Sequence, residues 1–248
     1  MTQAAKSSRY THHRVMRNTL VIDLKGTRRV LSSAPQGGGF TSACYVLNHQ
    51  VEAIPDSSSQ RRIHQSYHPA RYLRRLAATL GLKGKTIGLM TAVPIKQLVK
   101  SRASSGGVWV ECFATVGVTN AVRAGEWPPN HDRRKSAYAA GTINIVLVTN
   151  VSFSNAAMVG AVQVATETKT GVLRDHDVPS WNGNRGATGT GTDAVVIVCS
   201  MRGQGLRNAY SGTHTIVGAM IGRVVADCMT QGLAKAKRWN KSQVRLQR

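Results

Sequence analysis

The chain is short of acid, aromatics and paired cysteines, and each shortage removes a class of function. Its 248 residues carry 11 acidic side chains against 33 Lys and Arg, a formal net charge of +22. Few carboxylates are therefore left to choose among for catalysis. Aromatic residues make up 5%, so stacking platforms for bases and aromatic cages are poorly supplied. The four cysteines, Cys44, Cys112, Cys199 and Cys228, show no CxxC spacing. That argues against a zinc knuckle or a redox pair and for buried free thiols in a reducing compartment. No apolar run approaches a membrane span, and residues 1–18 lack the apolar core of a secretory signal. The expectation is a soluble cytoplasmic protein that does not insert in a membrane.

What is present is enough for one large core, with 42% hydrophobic residues and 24 glycines without collagen periodicity. Positive charge crowds the head (Lys6, Arg9, Arg14, Arg17), a middle segment from Arg61 to Lys85, and the tail from Lys235 to Arg248. A basic, disordered head over 1–18, one domain over 19–238 and a basic tail over 239–248 follow. Thr19 to Leu24 and Arg29 to Ala34 read as strands, as do Thr86 to Val93, Val108 to Val118, Gly141 to Val151 and Val195 to Cys199. Pro69 opens a helix that Gly81 closes, and Ser154 or Asn155 caps a second. In that second helix Met158, Ala161, Val162, Ala165 and Val172 form the apolar stripe, with Gln163 and Glu167 on another face. A last helix runs from about His214 to Lys237. Strands ahead of the first helix, then strands alternating with helices, predict an α+β domain: a mixed sheet covered by helices.

Several motifs fail their own geometry. Gly84-Lys85-Thr86 has no glycine at the right distance upstream and precedes a strand, so it is no phosphate loop. Gly186, Gly189 and Gly191 precede a strand where a dinucleotide fingerprint needs a helix. His64 and His68 lie four apart but are followed by Pro69 and flanked by Arg61 and Arg62, which favours a solvated segment over a metal site. Asp175-His176-Asp177 reads as loop surface. No metal is expected.

Two residues stand out for chemistry. His214, placed at the start of a helix, would be kept neutral by the macrodipole, as a general base requires. Asp193 ends the run Gly189-Thr190-Gly191-Thr192, whose N–H groups could hold an oxyanion. Each also has a plain reading, a loop-bonded histidine and a loop carboxylate that satisfies backbone. Glu126 and Glu167 are the other carboxylates in motif-like surroundings.

Taken in order, Val30-Leu31-Ser32-Ser33-Ala34 with Gly37-Gly38-Gly39, Asn48-His49-Gln50-Val51, and Ala114 to Ala121 with Gly125-Glu126 form one familiar series. Gly141-Thr142-Ile143-Asn144, Ala165-Thr166-Glu167-Thr168-Lys169, Ala187 to Asp193 and Gly212-Thr213-His214-Thr215 continue it. The series, from about Leu20 to Val225, resembles the adenosylcobinamide amidohydrolase family. The resemblance implies hydrolysis of the amide joining the aminopropanol arm to adenosylcobinamide, giving adenosylcobyric acid in cobamide salvage.

A corrin rim bears neutral amide arms that Asn, Thr, Ser and backbone groups can bond. Ser33, Asn48, Thr119, Asn120, Thr142, Asn144, Gly189, Gly191 and Thr192 are therefore the expected substrate contacts. His214 is taken as base, Asp193 as its orienting partner or the acid, and Gly189 to Thr192 as oxyanion site, with Glu126 or Glu167 able to replace either carboxylate role. No cofactor is expected, cobalt entering only as part of the corrinoid. Two other readings stay open: a nucleic-acid protein using its basic head and tail, and a corrinoid carrier without turnover.

Overall fold

A computed structural model describes residues 10–51, 68–127, 141–184 and 186–246, with the side chains of the last helix described to residue 238. The readings placed on Lys6 and Arg9 of the basic head and on Arg61, Arg62 and His64 lie outside these residues. The chain opens with a hairpin, β1 (His12–Met16) and β2 (Thr19–Ser32), in which Met16 pairs with Thr19. Within the expected disordered head, His12–Met16 is thus a strand of the sheet and Arg17 and Asn18 its turn. Thr11 fixes the hairpin further by donating its N–H (3.0 Å) and hydroxyl (2.6 Å) to the buried carboxylate of Glu111.

The two strands expected over Thr19 to Leu24 and Arg29 to Ala34 are the two halves of β2. Between them the pairing with β3 (Gly39–Gln50) loses register, and Lys25 (φ 55°) and Gly26 (φ 111°) take the left-handed conformation. Such a bulge bends a strand and raises its local twist. The remaining strands are β4 (Thr86–Thr91), β5 (Val99–Ser105), β6 (Val108–Val116), the short β7 (Ala121–Val122), β8 (Ile143–Thr149), β9 (Ser152–Phe153), β10 (Gly189–Thr190), β11 (Ala194–Cys199) and β12 (Arg207–Asn208). Helices α1 (Pro69–Thr79), α2 (Asn155–Asp175) and α3 (Ile216–Leu246) complete the domain.

The main sheet runs β4-β3-β2-β11-β8-β6-β5, with β1 beside β2. It folds over at the bulge, so that its β3–β4 side lies across the face of β8. Asn144 on β8 donates to the Asn48 carbonyl on β3 at 2.9 Å and to the Met90 carbonyl on β4 at 2.8 Å, although β2 and β11 separate these strands in the sheet. Leu20, Ile22, Val46 and Leu89 fill the interior against Phe113, Val146, Val148 and Val196. On the opposite face α2 and α3 cover Cys112, Ala114, Ile145, Leu147 and Ile197. Every residue of β6 and β8 is consequently buried, which is why both read as near-continuous apolar runs. On the outside of the folded-over half, Ala77 and Leu80 rest on Val21 and Leu47. The α+β class with a mixed main sheet is as the sequence predicts; β7 with β10 and β9 with β12 pair as two small sheets of their own.

Ser154 caps α2 by accepting from the Ala157 N–H at 3.0 Å. The last helix begins at Ile216, where Thr215 accepts from the Gly218 N–H at 3.0 Å, and its backbone continues past the expected end at Lys237. The stretch Ile216–Arg238 is long and apolar enough to cross a membrane by length and composition, contrary to the sequence expectation. Its stripe Val217, Ile221, Val224, Val225, Cys228 and Met229 is buried in the core shared with β6 and α2, the place of a core helix.

Candidate active site

Strand direction decides where polar residues meet. β8 runs parallel to β11 but antiparallel to β6, so the amino ends of β8 and β11 coincide with the carboxyl end of β6. The fold-over brings the carboxyl ends of β3 and β4 to the same place. Here Asn48 donates to Thr115 at 3.0 Å and accepts from Asn144. Both asparagines are buried, as are Thr91 and Thr115. Thr142 donates to the Thr192 carbonyl at 2.9 Å, and Ser33 accepts from the Val195 N–H at 3.0 Å. Gly141 lies directly against Thr119 and Asn120, with no room for a side chain. The Asn120 Oδ1 is a buried acceptor without a donor among the described residues.

At the centre of this end is a buried ion pair. Asp193 accepts from the Lys169 ammonium, from the Ile143 N–H (3.0 Å), from the Thr190 N–H (3.0 Å) and from the Thr190 hydroxyl (2.5 Å). The side chains of Lys169 and Asp193 are 9% and 13% exposed. A Cβ on Gly189 would overlap both charged groups, which explains the glycine there without any appeal to flexibility. The proposed oxyanion loop is partly spent as a result: the Thr190 N–H is committed to Asp193.

Sequence reasoning passed over Lys169, although the signal was present. It occupies the apolar stripe of α2, four residues after Ala165 and three before Val172, and a lysine buried at such a position needs a partner.

His214 is elsewhere. It is exposed and precedes α3 rather than lying in its first turn as expected. Ser211 anchors this turn to the start of α2 by donating to the Ala157 carbonyl at 2.6 Å. From Ala157 to Lys169 the helix rises about 18 Å at ~1.5 Å per residue. The pairing of His214 with Asp193 is therefore corrected: β11 carries the chain from one end of the sheet to the other between them.

Glu167 is exposed on α2, away from the buried stripe. Glu126 does lie at the polar end, but as a clamp. It accepts from the Arg123 N–H (3.1 Å), Ser180 Oγ (3.0 Å) and Asn182 Nδ2 (3.1 Å). Burial alone nudges its pKa up, yet these bonds and one from Asn184 outweigh that and hold the carboxyl below its usual range.

Beside Asn48, His49 is buried between Thr19 and Tyr72. The Thr19 hydroxyl donates to the Arg17 carbonyl (3.1 Å), so it receives the His49 Nδ1–H (2.8 Å) and leaves Nε2 to accept from Tyr72 (2.8 Å). Burial pushes the His49 pKa below 6.5, consistent with a neutral ring.

The opposite end of β8 and β11 has another character. A cleft of about 510 Å³ opens there, lined by Lys25, Arg28, Asn150, Ser200, Met201 and Gln204. A second, of about 560 Å³, lies against β1 between His13, Arg14, Asp23 and Tyr45. Neither is lined by the ion pair or by Asn48, Asn120 or Asn144. Among the described residues no three His, Cys, Asp or Glu side chains gather as metal ligands would.

Fold and site together define an α+β domain in which one end of the sheet carries neutral hydrogen-bonding side chains around one compensated charge pair. The adenosylcobinamide amidohydrolase (CbiZ) family model matches residues 1–241, and the chain belongs to that family. It is similar to the uncharacterized protein MJ1613 of Methanocaldococcus jannaschii, at 30% identity over 88% of this chain and 86% of that protein. It is similar also to the adenosylcobinamide amidohydrolase of Methanosarcina mazei, at 29% identity over 87% and 94%. The solved PH0078 protein of Pyrococcus horikoshii matches 87% of this chain and 77% of its own at 9% identity, with a TM-score of 0.39, a likeness too distant to bear on fold or function.

Proposed function

We propose that the chain hydrolyses the amide that joins the aminopropanol arm to adenosylcobinamide, giving adenosylcobyric acid and aminopropanol, as a step in corrinoid salvage. Water adds across the C–N bond: its oxygen goes to the carbonyl carbon and its protons end on the leaving amine and the new carboxyl group. The observation that carries this reading is the convergence of Asn48, Thr119, Asn120, Thr142, Asn144 and Thr192 with the Lys169–Asp193 pair on one end of the sheet. Amide and hydroxyl groups suit the amide arms of a corrin rim, and the orphaned Asn120 Oδ1 suits an amide N–H.

In this reading Lys169 is the electrostatic group. Its ammonium, in a site with little water, faces the oxygen that gains negative charge as the carbonyl is attacked. Asp193 holds the Lys169 side chain in place and at the same time orients Thr190. With four donors already on it, Asp193 has its oxygens committed, so its part is positioning. The role expected of His214 passes to no single residue.

The test is direct: incubate the purified protein with adenosylcobinamide and follow aminopropanol by mass spectrometry. Stoichiometric release with adenosylcobyric acid is expected. A protein that holds the corrinoid and releases nothing is a carrier, and the reading fails.

A further inference from the structure

The chain has few aromatic side chains, yet two of its four tryptophans are spent on the surface at the polar end. Trp127 is 86% exposed and Trp181 is 45% exposed. Tryptophan is highly buried on average, so two exposed ones at the same end raise the question of what they meet. Both sit on segments that are held in place. Glu126, next to Trp127, bonds to Ser180 and Asn182, on either side of Trp181. The Trp181 N–H donates to the Ala121 carbonyl at 2.7 Å. The β7–β10 ladder, with Thr190 opposite Ala121, connects the same segment to the ion pair. A carboxylate with several donors fastens together two loops that each carry an exposed tryptophan.

We infer that Trp127 and Trp181 form an apolar rim that receives the flat face of the corrin macrocycle while its amide arms reach the asparagines and threonines behind. This rests on the amide-hydrolysis reading of the same site. Continuity supplies the link. Asn120, whose buried carbonyl oxygen lacks a donor among the described residues, immediately precedes the residue that holds Trp181. A ligand bonding there passes the rim, and a large conjugated ring gives tryptophan broad contact at low entropy cost. Glu126 is accordingly a positioning residue: it sets the separation of the two rings and touches no reacting atom.

The experiment compares wild type with Trp127→Ala, Trp181→Ala, the double variant and Trp181→Phe. Two readouts are used, aminopropanol release and quenching of tryptophan emission by cobinamide, whose visible absorption accepts it. Each alanine is expected to raise KM for adenosylcobinamide about ten-fold, as loss of a tryptophan anchor does, with the effect on KM rather than kcat. Trp181→Phe should recover most of the loss, and the thermal melt of Trp127→Ala should not move, because that side chain is 86% exposed. Normal turnover with unchanged KM in both alanine variants overturns the rim and leaves the hydrolysis standing. Quenching in wild type that the double variant loses, with no aminopropanol from either, sinks the hydrolysis and leaves the rim. Absence of cobinamide binding sinks both.

Discussion

The two ends of the parallel pair β8 and β11 handle charge in opposite ways. At the amino end one buried cation, Lys169, meets one buried anion, Asp193, amid uncharged amides and hydroxyls. At the carboxyl end Arg28 bonds to Ser200 Oγ (2.8 Å) and Arg29 to the Phe153 carbonyl and Asn155. In these contacts the acceptors are neutral. Burial lowers the Arg28 pKa, against a smaller opposing effect of Cys199. Arg202 and Arg207 add exposed charge nearby. Ligands of parallel sheets favour carboxyl ends, which would select the basic end. In this mixed sheet the rule cuts both ways, since the carboxyl ends of β3, β4 and β6 all lie at the polar end. The difference teaches that net charge and chemistry are separable: a surplus of +22 says little about a site where charge is matched one to one.

The sharpest blow to that comparison is Lys169→Met. It leaves Asp193 buried with its ammonium partner gone, and breaking a buried pair costs about 3–5 kcal/mol. Because Ile143 and Thr190 still donate to the carboxylate, a value near ~3 kcal/mol is expected. Urea unfolding measures it, and aminopropanol release should fall to background in the fraction that remains folded. A folded, fully active variant would remove the ion pair from the reaction.

Much of the polar end is legible in the amino-acid sequence. The ordered runs around Asn48, Thr115 to Asn120, Gly141 to Asn144 and Ala187 to Asp193 are strand ends and loops, and the fold gathers them. Lys169 could have been read as well, from a charged residue standing in an apolar stripe. What sequence could not supply was the fold-over at Lys25 and Gly26, which places Asn48 against Asn144 across 96 positions. Nor could it supply the length of β11. Asp193 and His214 look close in sequence, but a six-residue strand carries the chain about 20 Å at ~3.3 Å per residue. Glu126 reads as reactive because it sits in a motif. Its hydrogen bonds to residues more than 50 positions away, which no local pattern discloses, make it a clamp.

A smaller effect concerns pH and again belongs to the polar end. The folded-state pKa of His49 is depressed below 6.5 by burial, so at lower pH the unfolded chain binds the proton more readily. Its contribution to stability is complete above about pH 6.5 and is lost as pH falls towards the folded-state pKa. His13 shifts the same way, through burial first and then the charge of Lys100. Urea midpoints collected from about pH 8 to pH 5 should therefore decline for wild type. The decline should be shallower, not absent, for His49→Gln. An unaltered slope in that variant would assign the whole effect to His13.

The smallest expected change is the most decisive for the two-ended reading. His214→Ala removes an exposed side chain whose ring folds back towards Gly212. Surface substitutions of this kind usually shift stability by less than about 0.5 kcal/mol. The ring lies a helix length from Lys169, so no proton can pass directly between His214 and an amide held at Asn120 and Lys169. Aminopropanol release should stay within two-fold of wild type, with the same pH profile. If turnover instead fell a hundred-fold while the melting temperature held, the reacting amide would have to lie at the basic end, beside Arg28 and Ser200. The asparagines and the ion pair would then be architecture, a dry polar plug that closes the folded-over sheet.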